Sequence, residues 1–254
     1  MVCVIWIVWE GVWGYGAGMD LIGRLEDIPV LEAGQVVVWG AEVSVVSDAL
    51  GGLYDVLSEA ERLKAERLRS GAREVSVVAR GGLRVLLGAY VGVAADAVAI
   101  ESLASGKPVL EDGSVAFSVA HSGEWVVWAF ARGGAVGVDL ERVRSEVAWA
   151  AVARRYFSGA EQALLRRVED PVRVFFDLWV MKEALVKASG KGVFAGMADA
   201  VVSVESEGVA DQGVVGDWVV QRVEAGSKYA CAVACDGVVR EQPCYDFGGL
   251  RWGD

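Results

Sequence analysis

The stretch Trp179-Val180-Met181-Lys182-Glu183-Ala184-Leu185-Val186-Lys187 holds the residue types best placed to do chemistry. Its surroundings predict a helix, on which Glu183 and Lys187 lie only about 40° apart around the axis and share a face. Trp179 sits one turn earlier on that face. The same four-residue spacing also makes an ordinary surface salt bridge. A second group is Val136-Gly137-Val138-Asp139-Leu140-Glu141, an apolar strand running into Asp-x-Glu. Residues two apart on a strand point the same way, so these carboxylates repel each other unless a cation lies between them. Hard oxygen donors suit Mg²⁺, which takes one or two carboxylates, some waters and substrate phosphate. The competing reading is a pair of solvated charges at a strand end. In Phe117-Ser118-Val119-Ala120-His121-Ser122-Gly123 the chain's single histidine sits where a strand meets a turn. It can donate to a phosphate in either protonation state, and Ser122 adds a hydroxyl; a lone histidine also serves structural roles. Gly106-Lys107-Pro108 is a loop that offers a lysine to an anion.

These groups need elements to hold them, and the elements come twice at a spacing of about 100 residues. Ser58 and Glu61 form a capping box that opens a helix, as do Ser158 and Glu161, each preceded by an apolar residue, Leu57 and Phe157. A longer helix follows each, over 73–90 and 172–189. Strands are expected before them, over 35–43 and 135–140. Hairpins are expected after them, over 114–131 with its turn near Ser122-Gly123 and over 217–234 with its turn near Gly226-Ser227. Helices and strands mix without a steady βαβ rhythm, which favours an α+β fold. The expectation is two similar α+β halves, 34–133 and 134–254, packed as a pseudo-two-fold pseudo-dimer behind an apolar, glycine-rich arm at 1–33. A ligand would then sit in the cleft between the halves.

Composition narrows the class. The chain has 254 residues, 54% of them apolar, enough to bury a proper core. A net charge of −11 argues against a nucleic-acid binder and leaves phosphate binding to local basic clusters. Cys3, Cys231, Cys235 and Cys244 form no CxxC pair and lie far from His121, so a zinc site is not expected. If the run holding Cys231 and Cys235 is a strand, both side chains point to one face, as buried free thiols. Residues 2–9 are apolar with two tryptophans, too short to span a bilayer and without the leading Lys or Arg of a signal peptide. They read as an added strand or a loosely packed arm. The expectation is a cytoplasmic protein with no membrane contact.

Taken in this order, the motifs resemble those of the Sfp-type 4′-phosphopantetheinyl transferases over about residues 57–192. The resemblance rests on GKPVL at 106–110, FSVAHSG at 117–123, GVDLE at 137–141, RRYFSGAE at 154–161 and WVMKEALVKASGKG at 179–192. The last fits the pattern W-x-x-K-E-A-x-x-K-x-x-G-x-G throughout. The family is built as two similar α+β halves. The resemblance implies transfer of the phosphopantetheine arm of coenzyme A to a serine of an acyl or peptidyl carrier protein by a monomeric, bipartite enzyme. It further implies that Asp139, Glu141 and Glu183 hold Mg²⁺, with Mn²⁺ as an alternative. Glu183 would be the base for the serine, and Lys187 would bind the pyrophosphate; with Asp139 they make the catalytic set. Lys107, with Pro108 beside it, and His121 would hold the 3′-phosphoadenosine end, with Ser122 and Lys182 among the residues binding the cofactor. Lys64 and Arg73 add phosphate contacts on a looser alignment. Where the family usually shows Asn-x-Ser-His, this chain has Ser118-Val119-Ala120-His121; the missing hydroxyl at Ala120 implies weaker coenzyme A binding. The competing functions are a non-catalytic coenzyme A or nucleotide binder and a Mg²⁺-dependent pyrophosphate hydrolase.

A serine hydroxyl is a weak nucleophile, which a carboxylate base assists. Phosphoryl transfer is otherwise mostly positioning and charge neutralisation. Carrier proteins are generally acidic, so attraction to an acidic chain must be local. Residues 62–84 and 154–173 are the two arginine-rich stretches that supply it.

Overall fold

A computed structural model describes residues 4–8 (as a strand), 28, 30–44, 46–190, 200–202 and 208–236. Cys3, Cys244 and the Lys191-Gly192 end of the long motif lie outside these. The chain begins with β1 (Val4–Val8) and β2 (Val36–Glu42), followed by α1 (Leu50–Asp55), α2 (Glu59–Glu66) and α3 (Ser70–Val91). Next come β3 (Ile100–Ser102), β4 (Pro108–Leu110), β5 (Ala116–Ser122) and β6 (Trp125–Ala131). Then follow β7 (Val136–Arg142), α4 (Trp149–Tyr156), α5 (Gly159–Leu165) and α6 (Pro171–Ser189). The last described elements are β8 (Gln212–Val215), β9 (Trp218–Val223) and β10 (Tyr229–Asp236). This is a mixed α+β architecture. One four-stranded sheet has the order β1-β2-β6-β5 and the other β7-β10-β9-β8. β1 pairs in parallel with β2, so the apolar N-terminal run adds a strand to the first sheet. In each sheet the strand before the helices, β2 or β7, pairs antiparallel with the last strand of a hairpin, β6 or β10.

Period-two alternation decides which residues face which layer. On β6, Val126, Trp128 and Phe130 pack with α3 residues such as Leu83 and Leu87. Val127, Ala129 and Ala131 point the other way and join Val136, Val138, Leu140, Cys231 and Val233 in a core between the two sheets. On β10, Ala230, Ala232 and Ala234 face α6. The layers are therefore α3, first sheet, second sheet, α6. Cys231 and Cys235 are buried free thiols on one face of β10, as their spacing requires.

Both capping boxes form, at Ser58/Glu61 and Ser158/Glu161. Each glutamate does a second job. Glu61 pairs with Arg80 and Arg84 of α3, at 2.7 and 2.6 Å. Glu161 pairs with Lys182 of α6 at 3.2 Å, with both side chains fully buried. Each box thus pins its short helix onto the long helix that follows.

The approach of α6 to β7 depends on Gly137. A methyl group there would overlap the carbonyl oxygen of Ala184 and the amide nitrogen of Ala188, both main-chain atoms that cannot swing away. Gly137→Ala is expected to cost about 1–3 kcal/mol or more, read as a lower midpoint in denaturant at unchanged m-value. An unchanged midpoint would mean that strand and helix are not in contact there.

Candidate active site

The odd-numbered residues of β7, Gly137, Asp139 and Glu141, face away from the inter-sheet core formed by Val136, Val138 and Leu140. Gly137 meets α6 directly. α6 itself is well founded. Asp170 caps its start by accepting from the Arg173 amide, Pro171 occupies its first turn, and Gly190 ends it in a left-handed conformation. Two turns of this helix bring Glu183 and Lys187 onto the acidic face of β7. The Lys187 ammonium donates to Asp139 Oδ1 at 2.7 Å and to the Val138 carbonyl at 3.1 Å. Asp139 Oδ2 is buried without a hydrogen-bond partner. Glu141 Oε2 accepts from the Ser122 hydroxyl at 2.9 Å, and that hydroxyl accepts from the Arg142 amide at 3.0 Å.

The carboxyls share one electrostatic problem. Burial pushes the Asp139 carboxyl above the usual range, with Lys187 opposing. Burial and then Asp139 raise Glu141, against the Ser122 hydrogen bond. Burial, Asp139 and Glu141 together push Glu183 up to about 7, with Lys187 opposing. A carboxyl at that value can accept a proton near neutral pH. Among the described residues no three His, Cys, Asp or Glu side chains are drawn close enough to make a closed metal cage. The hard oxygen set, the crowded negative charge and the orphaned Asp139 Oδ2 nonetheless fit a divalent ion held by one or two carboxylates and completed by a substrate phosphate.

His121 is exposed at the end of β5, on the face opposite Ser118 and Ser122. Burial of part of the ring, then the charges of Lys187 and Lys64, hold it below the usual imidazole range. The charges of Lys187 and Lys64 are felt at His121, and of these cations Lys187 sits on the acidic group itself, through Asp139. A cavity of about 260 Å³ opens beside Lys187, between Gly106 and Pro108 at the β3–β4 connection, Phe117 and Val119 of β5, and Val186, Lys187 and Gly190 at the end of α6.

The structure gathers Asp139, Glu141, Glu183, Lys187 and Ser122, leaves His121 and Lys64 exposed with the Lys64 charge felt at the His121 ring, and lines the cavity with Lys107 and Pro108. Other expected residues have different work. Lys182, expected among the cofactor-binding residues, is turned into the core by one step around the helix. Its ammonium is spent on Glu161 and the Ala200 carbonyl, which corrects that assignment. Arg73 lies over the Tyr54 ring at 5.6 Å. Trp179 stacks on Phe175 and meets Tyr156 edge-on, so it packs rather than reacts. Ser122 holds Glu141. Lys107 donates to three main-chain carbonyls, of Val136, Lys187 and Ala188. Arg80, Arg84 and Arg173 of the two basic stretches are committed to Glu61 and Asp177, leaving Lys64, Arg67, Arg69, Arg154, Arg155 and Arg166 exposed.

Ala120 is buried in the inter-sheet core, between Ser118 and Ser122 and on the face away from His121. A hydroxyl there would meet the seam between sheets, not a ligand beside His121, so the placement does not support weaker binding on its account. Ala120→Ser is expected to leave coenzyme A affinity unchanged in a titration; a tighter complex would restore a ligand contact to that position. The residue the motifs left unread is Glu161 as an ion-pair partner. Its signal was present, since Leu164 and Leu165 lie three and four residues on and mark that side of the helix as buried.

Comparison with known proteins agrees with this geometry. The model of the 4′-phosphopantetheinyl transferase superfamily matches residues 135–234, the segment that carries β7, α6 and the acidic face. The chain is 31% identical over 166 residues to the 4′-phosphopantetheinyl transferase HetI of Nostoc sp., covering 63% of this chain and 70% of that one. It is 37% identical over 116 residues to the 4′-phosphopantetheinyl transferase psf-1 of Bacillus pumilus, over 44% of this chain and 48% of the relative. It is 35% identical over 91 residues to the 4′-phosphopantetheinyl transferase Sfp of Bacillus subtilis, over 35% of this chain and 39% of the relative. The chain belongs to the 4′-phosphopantetheinyl transferase superfamily.

Proposed function

We propose that this protein transfers the 4′-phosphopantetheine group of coenzyme A to a serine of an apo carrier protein and releases 3′,5′-ADP. The observation that carries the reading is the meeting of α6 with β7, which sets Glu183 and Lys187 against Asp139 and Glu141. The serine oxygen forms a bond to the β-phosphorus of coenzyme A as the bond from that phosphorus to the 3′,5′-ADP oxygen breaks. Glu183 takes the serine proton, with its carboxyl raised to about 7 by burial and its acidic neighbours. Lys187, held by Val138 and Asp139, steadies the charge that builds on the phosphates. Asp139, Glu141 and Glu183 are the carboxylates from which Mg²⁺, or Mn²⁺ in its place, would draw its ligands once a substrate phosphate completes the site, and the bound ion would neutralise the pyrophosphate. The cavity beside Pro108, Phe117 and Lys187 suits the nucleotide end, with His121 and Lys64 at hand for the 3′-phosphate.

The two capping-box ion pairs and the shared three-strand cores, β2-β6-β5 and β7-β10-β9, support a duplication, with residues 34–133 and 134–254 related by a pseudo-two-fold axis and 1–33 as an added arm. A chain that supplies both halves of the site needs no second copy, which supports a monomer. Buried free thiols fit a reducing, cytoplasmic setting, and no helix among the described residues is long and apolar enough to cross a membrane. The exposed Arg67 and Arg69 between α2 and α3, and Arg154 and Arg155 of α4, give an acidic carrier two places to dock.

Intact-mass spectrometry of an apo carrier incubated with the protein, coenzyme A and Mg²⁺ tests the reading. Addition of one phosphopantetheine is the expected result. Phosphopantetheine released without a carrier would instead identify a hydrolase. Coenzyme A bound but unmodified across acyl and peptidyl carriers would identify a binder.

A further inference from the structure

We propose that Lys107 is a positioning residue: its ammonium, reaching from the first half of the chain, clamps the end of α6 to the start of β7 and so holds Lys187 in register with Asp139. The clamp deepens the transferase reading, because it gives Lys187 its place in that reaction.

Lys107 is presented by the short β3–β4 loop, which is closed on itself. The Leu103 amide donates to the Lys107 carbonyl at 2.9 Å and the Gly106 amide to the Leu103 carbonyl at 2.8 Å, with Gly106 at φ 83°. From this fixed base the ammonium donates to the carbonyl oxygens of Lys187 at 2.6 Å, Ala188 at 3.3 Å and Val136 at 3.3 Å. An ammonium has three protons, and the three carbonyls take them all. Two of these carbonyls belong to the last turn of α6, where no helical amide lies ahead to serve them. The Val186 carbonyl, by contrast, accepts from the Gly190 amide and the Ser189 hydroxyl. A cation at a helix C-terminus also meets the negative end of the macrodipole. The third carbonyl opens β7, next to Gly137, where strand and helix touch. Lys187 is thereby held at both ends: its carbonyl by Lys107, and its ammonium by Val138 and Asp139. A lysine committed in this way has no donor left for a phosphate.

The test compares Lys107→Met and Lys107→Arg with the unmodified protein, in steady-state transfer to an apo carrier and in amide hydrogen exchange without substrates. Lys107→Met is expected to lower kcat about 10- to 100-fold, as misplacement of an acting group does, with a much smaller change in KM for coenzyme A. Exchange should quicken over residues 183–190 before it does in β6 or α3, and Lys107→Arg should restore part of both effects. A raised KM at unchanged kcat would make Lys107 a direct ligand and overturn the proposal, as would unaltered exchange at the end of α6. Should Lys107→Met loosen the whole chain, the unmodified protein with ¹⁵N-labelled lysine decides. The Lys107 ammonium signal, absent from Lys107→Arg, is expected to stay put on titration with 3′,5′-ADP; a shift that tracks binding would overturn the clamp. Neither the exchange nor the titration needs turnover, so failure of the transferase reading would show separately, as no transfer by the unmodified protein.

Discussion

Glu183→Gln is expected to lower kcat for carrier modification by about 10²- to 10⁴-fold, the usual contribution of a positioned general base, while raising the melting temperature of the metal-free protein. Both effects have one cause. Burial and two neighbouring carboxylates raise the Glu183 carboxyl to about 7, so the group that can take a proton near neutral pH also destabilises the fold by repulsion. An amide of the same shape removes the repulsion and the base together, as stabilising changes at functional sites commonly do. Rates come from intact-mass time courses at saturating coenzyme A, and stability from thermal unfolding in chelator. A variant that keeps its rate removes Glu183 as the base. A variant that loses both rate and stability makes Glu183 a structural residue.

Lys182→Met is expected to be the most damaging single change to stability. Lys182 and Glu161 are both completely shielded from solvent. Burial pulls the Lys182 pKa down and only Glu161 holds it up. Removing the lysine strands the Glu161 carboxylate in the core, apart from its hydrogen bonds to the Ser158 and Val202 amides. Breaking a buried pair by deleting one partner costs about 3–5 kcal/mol. Glu161→Gln in the Lys182→Met background removes the stranded charge while keeping one amide partner, and should recover more than half of the loss. Denaturant unfolding of the two single variants and the double completes the cycle. Additive losses would show that the pair is not coupled.

Much of this was legible in the sequence because it follows local rules. The expected helix over 172–189 differs from α6 by one residue, since Asp170, Pro171 and Gly190 mark its ends. α3 begins at Ser70, before the expected 73, because Arg69 at its cap offers no side-chain hydrogen bond to announce the start. Alternation along β7 correctly put Asp139 and Glu141 on one face. Lys182 was misassigned because the motif draws the eye to its neighbour Glu183, yet Leu178, Leu185 and Val186 at four, three and four residues' distance mark its side of the helix as apolar. The work of Lys107 and Ser122 could not be read from spacing. Their partners, Lys187, Ala188 and Glu141, come from elements far along the chain, and only the packing of the two sheets brings them within reach.

β5 and β7 run side by side at the meeting of the two sheets, yet neither sheet's ladder includes the other. In place of main-chain pairing, the Ser118 hydroxyl accepts from the Val138 amide and the Ser122 hydroxyl from the Arg142 amide, two positions four residues apart on each strand. Side-chain oxygens can swing aside without unzipping a strand. The molecule therefore has a built-in parting line, and it runs through the acidic face. Local opening along that line would free the amides of Val138 and Arg142 while β6 and β10 stay locked in their own sheets. Slow amide exchange in β6 and β10, beside fast exchange at Val138 and Arg142, would be the signature.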